Sequence, residues 1–333
     1  MSQDVITLDY GSGGKRTAQW IEQMILPAVG NVYLNPLADG AVLDWAGPLV
    51  FSTDSFVVHP LFFPGGDIGK LAVCGTVNDL AMCGGTPKYL SLSFILEEGF
   101  PLKYLSRIVS SIGKTAEDCG VSIVTGDTKV VERGRGDGIY INTSGIGVLT
   151  WPGLSTANLQ EGDRILVSGP IGNHGTTIML ARGGMMEGTA LCSDCQPLHH
   201  LAAAALTAGG VRVMRDPTRG GVATTLNEFV EGSGLCIELM ERSLPVDEPV
   251  RVACNMLGLD PLYCANEGKL LLAVAPEHAE RVLDALRLER GGEQAAEIGR
   301  VSKQYPGKVV LKTYTGGSRV LSKLTGAQLP RIC

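Results

Sequence analysis

Residues 102–119 read LKYLSRIVSSIGKTAEDC and residues 121–129 read VSIVTGDTK, and the passage from one to the other decides the fold class. The first stretch places apolar side chains three and four apart, the spacing of one helix face. The second is a short apolar run closed by Gly126, the pattern of a buried strand. The same succession recurs along the chain. Strand-like runs occupy 49–53, 121–125, 139–149, 164–168, 235–240, 269–274 and 308–312, and helical patterns occupy 66–83, 102–119, 199–209, 220–231 and 277–288. Such alternation predicts an α/β or α+β protein. Thr150-Trp151-Pro152-Gly153 interrupts the pattern, and a strand signal resumes after Glu161-Gly162-Asp163. Two domains are therefore expected, over 1–153 and 154–322, with 323–333 as a mobile tail.

Composition supports this reading. The 333 residues suffice for two ordinary domains with real cores. Lys and Arg total 28 against 34 Asp and Glu, a net charge of −6, and no basic stretch stands out, so electrostatic binding of nucleic acid is a poor fit. Glycine, at 44 residues, is far above ordinary usage, while 44% hydrophobic residues indicate a folded chain rich in turns. No apolar run approaches the ~18 residues of a membrane span, and no basic segment followed by an apolar one opens the chain. A cytoplasmic location is the expectation. Nine cysteines, scattered through apolar surroundings, suit reduced thiols better than a disulfide framework.

Several residues have the chemistry of a site. Gly11-Ser12-Gly13-Gly14-Lys15 has the glycines to curl N–H groups around phosphate, with Lys15 adding charge, although it lacks the spacing of a P-loop and also reads as a plain turn. Asp54 and Asp127 each follow a strand-like run, where α/β folds place ligands, so both are candidates for one site. Asp79 joins them from a helix on which Gly75, one turn earlier, leaves room for a metal or phosphate. Carboxylates in such a group suit Mg²⁺ bridged to nucleotide phosphates, although each alone also fits a turn or cap. Asp216-Pro217-Thr218-Arg219-Gly220-Gly221 reads as a helix cap or an anion cradle. Glu267, just before an apolar strand, reads as a proton acceptor in a cleft or as a solvated turn. His59 faces the same crevice or merely ends its segment before Pro60. The single pair Cys192/Cys195 lacks the partners of a zinc site, and His199-His200 reads as a helix start.

Together these blocks resemble the aminoimidazole ribonucleotide synthetase (PurM-like) superfamily, and within it the hydrogenase-maturation carbamoyl dehydratases, the HypE family. The resemblance spans nearly the whole chain. It rests on the segment 11–15, Ser52-Thr53-Asp54-Ser55-Phe56, Gly69-Lys70-Leu71-Ala72 with Asn78-Asp79, Thr125-Gly126-Asp127-Thr128-Lys129, the 216–221 block, Ala265-Asn266-Glu267-Gly268-Lys269 and the closing Pro330-Arg331-Ile332-Cys333. It implies a two-domain PurM-like fold whose N-terminal domains pair in a homodimer through a shared sheet. ATP is then expected at Gly11, Ser12, Gly13, Gly14, Lys15, Thr53, Asn78, Gly126 and Thr128, and Mg²⁺ at Asp54, Asp79, Asp127 and Asp216. Asp39 would take a metal role too, as the one acid of Ala38-Asp39-Gly40 where that superfamily often has two.

The implied reaction is the ATP-dependent dehydration of an S-carboxamide on Cys333 to a thiocyanate, the source of the cyanide ligand on [NiFe]-hydrogenase iron. The partners implied are the carbamoyltransferase HypF and the HypC–HypD complex. Lys129 and Glu267 are the candidates for moving protons, Lys129 serving as a base only where its surroundings lower its pKa. His59 is a candidate for orienting or shuttling one. Two other readings remain open: a PurM-like enzyme phosphorylating a free small molecule, of the selenophosphate or thiamine-phosphate type, and a non-enzymatic maturation scaffold.

Overall fold

The computed structural model describes residues 5–12 and 15–324. Its N-terminal segment is helical, with α1 (Lys15–Trp20) and α2 (Leu26–Val29) joined by a π turn. There follow β1 (Leu49–Phe56), β2 (Phe62–Phe63), β3 (Gly66–Asp67), α3 (Ile68–Met82), β4 (Gly85–Glu97), α4 (Leu102–Asp118), β5 (Ser122–Val131) and β6 (Ile139–Leu149). The second half runs β7 (Arg164–Val167), α5 (Asn173–Arg182), α6 (His199–Ala208), β8 (Val211–Arg215), α7 (Gly221–Val230), β9 (Cys236–Met240), α8 (Glu248–Leu257), β10 (Leu271–Val274), α9 (Ala279–Arg287), β11 (Ala296–Ser302), β12 (Val309–Lys312) and β13 (Ser318–Leu321). Cys333 and most of the expected tail lie outside the described residues, as do Gly13 and Gly14.

The first sheet has the order β1-β6-β4-β5, antiparallel except between β4 and β5. Its inner face is made by alternate residues, Leu90, Leu92, Phe94 and Leu96 on β4 with Ile139 and Ile141 on β6, all buried against the helices. This is the period of two that a half-covered strand requires. The outer face leaves Leu49, Phe51, Ile95 and Val148 exposed. α3 is apolar nearly all round, with Leu71, Val73, Cys74, Val77 and Leu80 buried on every side. A helix of that kind belongs inside a protein, and α3 lies between the first sheet and the second half, where Ala81 and Met82 join the core of α6 and α9. Asp67 caps it, its Oδ1 accepting from the N–H groups of Gly69 (2.8 Å) and Lys70 (3.0 Å).

The second sheet, β13-β12-β9-β11-β7-β10-β8, is parallel only between β12 and β9. It is covered on both faces. Ile165, Val167, Leu271 and Ala273 pack towards α7, while the intervening Leu166, Leu270, Leu272 and Val274 pack towards α6 and α9. That explains the unbroken apolar run at 270–275, which a one-sided strand would not show.

Strands β4, β8, β11 and β13 and helices α1, α2, α5 and α8 were not among the sequence expectations. β4 is the most consequential, since it is central to the first sheet. Pro87 argues against a central strand, but the register shifts between Pro87 and Tyr89, a bulge that absorbs the missing N–H. β1 and β5 also run further than expected, so Asp54 and Asp127 lie within strands and not after their ends.

α4 packs on the N-terminal helical segment through Gly113, where a Cβ would collide with the Ala28 carbonyl oxygen. Gly113→Ala should therefore destabilise the chain by about 1–3 kcal/mol through overpacking, despite the better helix propensity of alanine. Chemical denaturation against the parent chain measures it, and a stabilised variant would contradict this packing.

Candidate active site

A cavity of about 270 Å³ opens where β1, α3 and the loops after β8 and before β10 converge, and Asp54, Asp79, Asp216 and Glu267 all line it. β1 turns Asp54 inward, and its Oδ1 accepts from the Ser55 N–H at 2.8 Å. α3 supplies Asp79, whose Oδ2 accepts from the Ser52 hydroxyl at 2.8 Å. Arg219 stands 4.0 Å from Asp54 at the exposed mouth, and Arg215 is ion-paired to Glu228. Gly75 lines this cavity one turn before Asp79. A Cβ there would lie 2.7 Å from the Phe56 ring, so the glycine makes room for Phe56 beside Asp54.

Crowding like charges away from water disfavours their ionised forms. Burial pushes Asp79 up, with Asp54 adding to it. Burial and then Asp79 push Asp216 up to about 7. Glu267 is raised well above the usual carboxylate range, first by burial, then by Cys195 and the surrounding acids. Glu267 is thus a buried acid–base group and not the solvated turn its spacing also allowed.

Two local features hold these acids. Asn266, fully buried, donates from Nδ2 to the carbonyls of Pro217 and Cys264 (both 3.1 Å), while its Oδ1 accepts from the Gly172 N–H at 2.7 Å. It clasps the Asp216 loop to the Glu267 loop. In the sequence Asn266 stands only as a member of the 265–269 block; an amide lodged between a turn and an apolar strand is the signal it carries there. The helix after Asp216 is capped by Gly220 (φ +75°), so Asp216 is no cap and turns to the cavity. At Gly221 (φ +60°) a Cβ would meet the carbonyl oxygens of Cys264 (2.6 Å) and Leu262 (2.7 Å).

A second cavity, of about 340 Å³, lies at the β5 edge. Gly11, Ser12 and Thr17 form its polar rim, Ile21, Ile25, Val29, Leu34 and Leu37 its apolar wall, and Gly126, Asp127, Thr128 and Lys129 its β5 side. Lys129 and Asp127 form an exposed ion pair at 3.1 Å. Asp127 is in register with Ser93, Ser93 with Asn142, and Asn142 with Ser55. Three strand spacings, about 14 Å, therefore separate it from the β1 edge. One chain does not bring Asp127 and Lys129 to Asp54, Asp79, Asp216 and Glu267, as the sequence reading had placed them.

Other expectations are also corrected. Asn78 is committed elsewhere, its Oδ1 accepting from the Leu198 N–H (2.7 Å) and its Nδ2 donating to the Gln196 carbonyl (3.2 Å), so it staples the two halves. Thr53 points to the outer sheet face, where its Oγ1 accepts from Ser144 at 2.8 Å. His59 is exposed, its carbonyl accepts from Arg182, and it lines neither cavity. Lys15 and Asp39 are exposed and likewise line neither.

No three His, Cys, Asp or Glu side chains among the described residues stand at metal-ligand spacing. The acids nevertheless suit a hard cation that brings phosphate oxygens with it, because Mg²⁺ commonly takes one or two carboxylates and completes its shell with phosphate and water. Asp54, Asp79 and Asp216 are the residues that fit.

The Asp216 shift has a consequence for stability. Its folded value, about 7, lies above the ordinary 3.8, so between those values the folded chain keeps a proton that the unfolded chain releases. Its contribution is therefore most favourable in acid, declines as pH rises towards about 7 and levels off above. Asp216→Asn should raise stability more at about pH 8 than at about pH 5 in the absence of divalent cations. Denaturant titrations at the two pH values test this, and an equal effect at both would refute it.

The AIR synthase related protein models match residues 37–149 (N-terminal domain) and 160–312 (C-terminal domain). The carbamoyl dehydratase HypE of Azotobacter vinelandii is 51% identical over 332 residues, covering 98% of this chain and 97% of that one. A crystal structure of hydrogenase maturation protein HypE in complex with ATP superposes with a TM-score of 0.94 at 50% identity, covering 98% of this chain and 99% of that one. HypE from a HypE–HypF complex gives 0.80 at 46% identity, covering 92% and 99%. With matches of this strength along nearly its whole length, the chain belongs to the HypE carbamoyl dehydratase family of AIR synthase related proteins.

Proposed function

We propose that this chain dehydrates an S-carboxamide on Cys333 to a thiocyanate at the expense of ATP. The observation that carries the reading is the convergence of Asp54, Asp79 and Asp216 on one cavity with the buried, strongly shifted Glu267. An amide oxygen leaves poorly, so it must first attack the γ-phosphorus of ATP and expel ADP. The carbon–oxygen bond then breaks, phosphate departs with the oxygen, and the nitrogen gives up two protons to leave a C≡N group. Glu267 is the proton acceptor: burial makes its carboxylate more basic than in water, as general-base work near neutral pH requires. Asp54, Asp79 and Asp216 would hold Mg²⁺, which would supply charge neutralisation for the transferring phosphoryl group. The apolar wall and glycine-bearing rim of the β5 cavity suit a purine base and phosphates, in keeping with the ATP complex of the HypE relative. The HypE–HypF complex supports a HypF-type carbamoyltransferase as the source of the carboxamide. A HypC–HypD type complex is the proposed acceptor of the cyanide.

The two cavities, at opposite edges of one sheet, must cooperate for this chemistry. We infer that two chains pair across the exposed sheet face, where Leu49, Phe51, Ile95 and Val148 lie open. Asp127 and Lys129 of one chain then serve the acids of its partner, Lys129 neutralising phosphate or taking a proton.

Intact mass of the carbamoylated chain, before and after Mg-ATP, tests the reaction. One water should be lost at Cys333 only with ATP, and Cys333→Ala should abolish maturation; ATP hydrolysis with an unchanged carbamoyl adduct would return a free small molecule as substrate. The pairing has its own test. Asp54→Asn and Asp127→Asn chains, each inactive alone, should regain part of the activity when co-expressed, because a mixed dimer holds one site with both acids; no recovery would confine catalysis to one chain.

A further inference from the structure

Behind Glu267, on the side away from the acid cavity, lies a larger hollow of about 750 Å³ lined in part by Ser193, Asp194, Cys195 and Lys269. Glu267 lines the acid cavity while residues 193–196 and Lys269 line the larger hollow, so segments 193–196 and 267–269 form part of the wall between the two. Asp194 and Lys269 sit within it, with side chains only 5% and 8% exposed and Oδ2 and Nζ 3.4 Å apart. Charges so deeply placed are costly unless paired, and nothing in the proposed reaction uses either.

Their contacts all bear on one short stretch of backbone. Asp194 Oδ1 accepts from the Glu267 N–H at 3.2 Å. Lys269 Nζ donates to the Gly268 carbonyl at 3.1 Å, which also accepts from Gln196 Nε2 at 2.9 Å. The Glu267 carbonyl accepts from the Gln196 N–H at 3.3 Å. The segments press so closely that a Cβ at Gly268 would collide with the Asp194 carbonyl oxygen. The 193–196 segment is itself anchored: the Ser193 N–H donates to the Pro64 carbonyl, Ser193 Oγ meets His174 Nδ1 (both 2.8 Å), and Asn78 holds the Gln196 carbonyl.

We infer that Asp194 and Lys269 are a positioning pair for Glu267: a buried ion pair that clamps the 267–268 backbone from behind and fixes where the Glu267 carboxyl enters the acid cavity. The inference rests on the reading of Glu267 as the proton acceptor. Neither partner touches substrate. The pair acts through geometry, and a displacement of a reacting group by an ångström is enough to cost turnover heavily.

The test uses the full-length chain with its carbamoyl adduct, following ATP-dependent loss of water. Lys269→Met and Asp194→Asn should each lower kcat at least tenfold while KM for ATP stays within twofold and ATP still binds one per site. Lys269→Arg, which keeps the charge, should retain most of the rate. The double variant Asp194→Asn/Lys269→Met should turn over faster than either single one, because neither charge is left alone and the amide that replaces the Asp194 carboxylate still offers an oxygen to the Glu267 N–H. Should the single variants fail to fold, the double variant and Lys269→Arg carry the test. Unchanged kcat in the singles, a loss confined to KM, or a double-variant loss equal to the product of the singles would overturn the pair. Full turnover by Glu267→Gln would instead overturn the reading of the site, and the pair with it.

Discussion

Four carboxyl groups facing one small cavity repel each other, and the surrounding structure exists in large part to keep them there. Asp54, Asp79, Asp216 and Glu267 come from a strand, a helix and two loops, elements belonging to both halves of the chain. In water Asp79, Asp216 and Glu267 would each ionise at an ordinary pKa, which burial raises here. They are held by contacts of modest individual strength. Ser52 fixes Asp79, Asn266 clasps the loops of Asp216 and Glu267, and Asn78 staples α3 to the segment behind them. Asn266 and Asn78 are wholly buried amides with both functions engaged. Losing either would leave buried polar groups without partners, at a cost of about 1–3 kcal/mol for each group.

Much of the fold was legible in the sequence because its helices and buried strands carry strong periodic signals. α4 shows a helical stripe, and the 270–275 run shows a strand covered on both faces. β4 also carries a clean alternation, Leu90, Leu92, Phe94 and Leu96 in and Ser91 and Ser93 less buried, and Pro87 stands at the bulge where its register shifts. The N-terminal helices were hidden for a different reason. They are short and broken by a π turn, so the apolar stripe of Ile21, Met24, Ile25 and Ala28 that packs on the core is split among brief elements.

The candidate site was legible in its chemistry and less so in its geometry. The acidic residues were recognisable as a group, yet spacing along the chain could not say which shared a cavity. Asp54 and Asp127 follow similar apolar runs and look equivalent in sequence. They diverge because the strand order β1-β6-β4-β5 sends their strands to opposite edges. Asn78 illustrates the opposite failure. Beside Asp79 it reads as part of a ligand-binding pair, but one residue along a helix is a rotation of about 100°, which carries it from the acid cavity into the junction between the halves.

The strand order also explains why the acid cavity and the β5 cavity have different characters. The β5 cavity is apolar on one wall and has a single exposed ion pair; the other is acidic and closed in by packed loops. Shape and apolar contact in the first suit a planar group. The second gathers Asp54, Asp79, Asp216 and Glu267 with Arg215 and Arg219 in its lining, a set that suits a cation carrying phosphate oxygens. Positive charge brought to Asp79 and Asp216 would lower their raised pKa values, so binding there and relief of the crowding are linked.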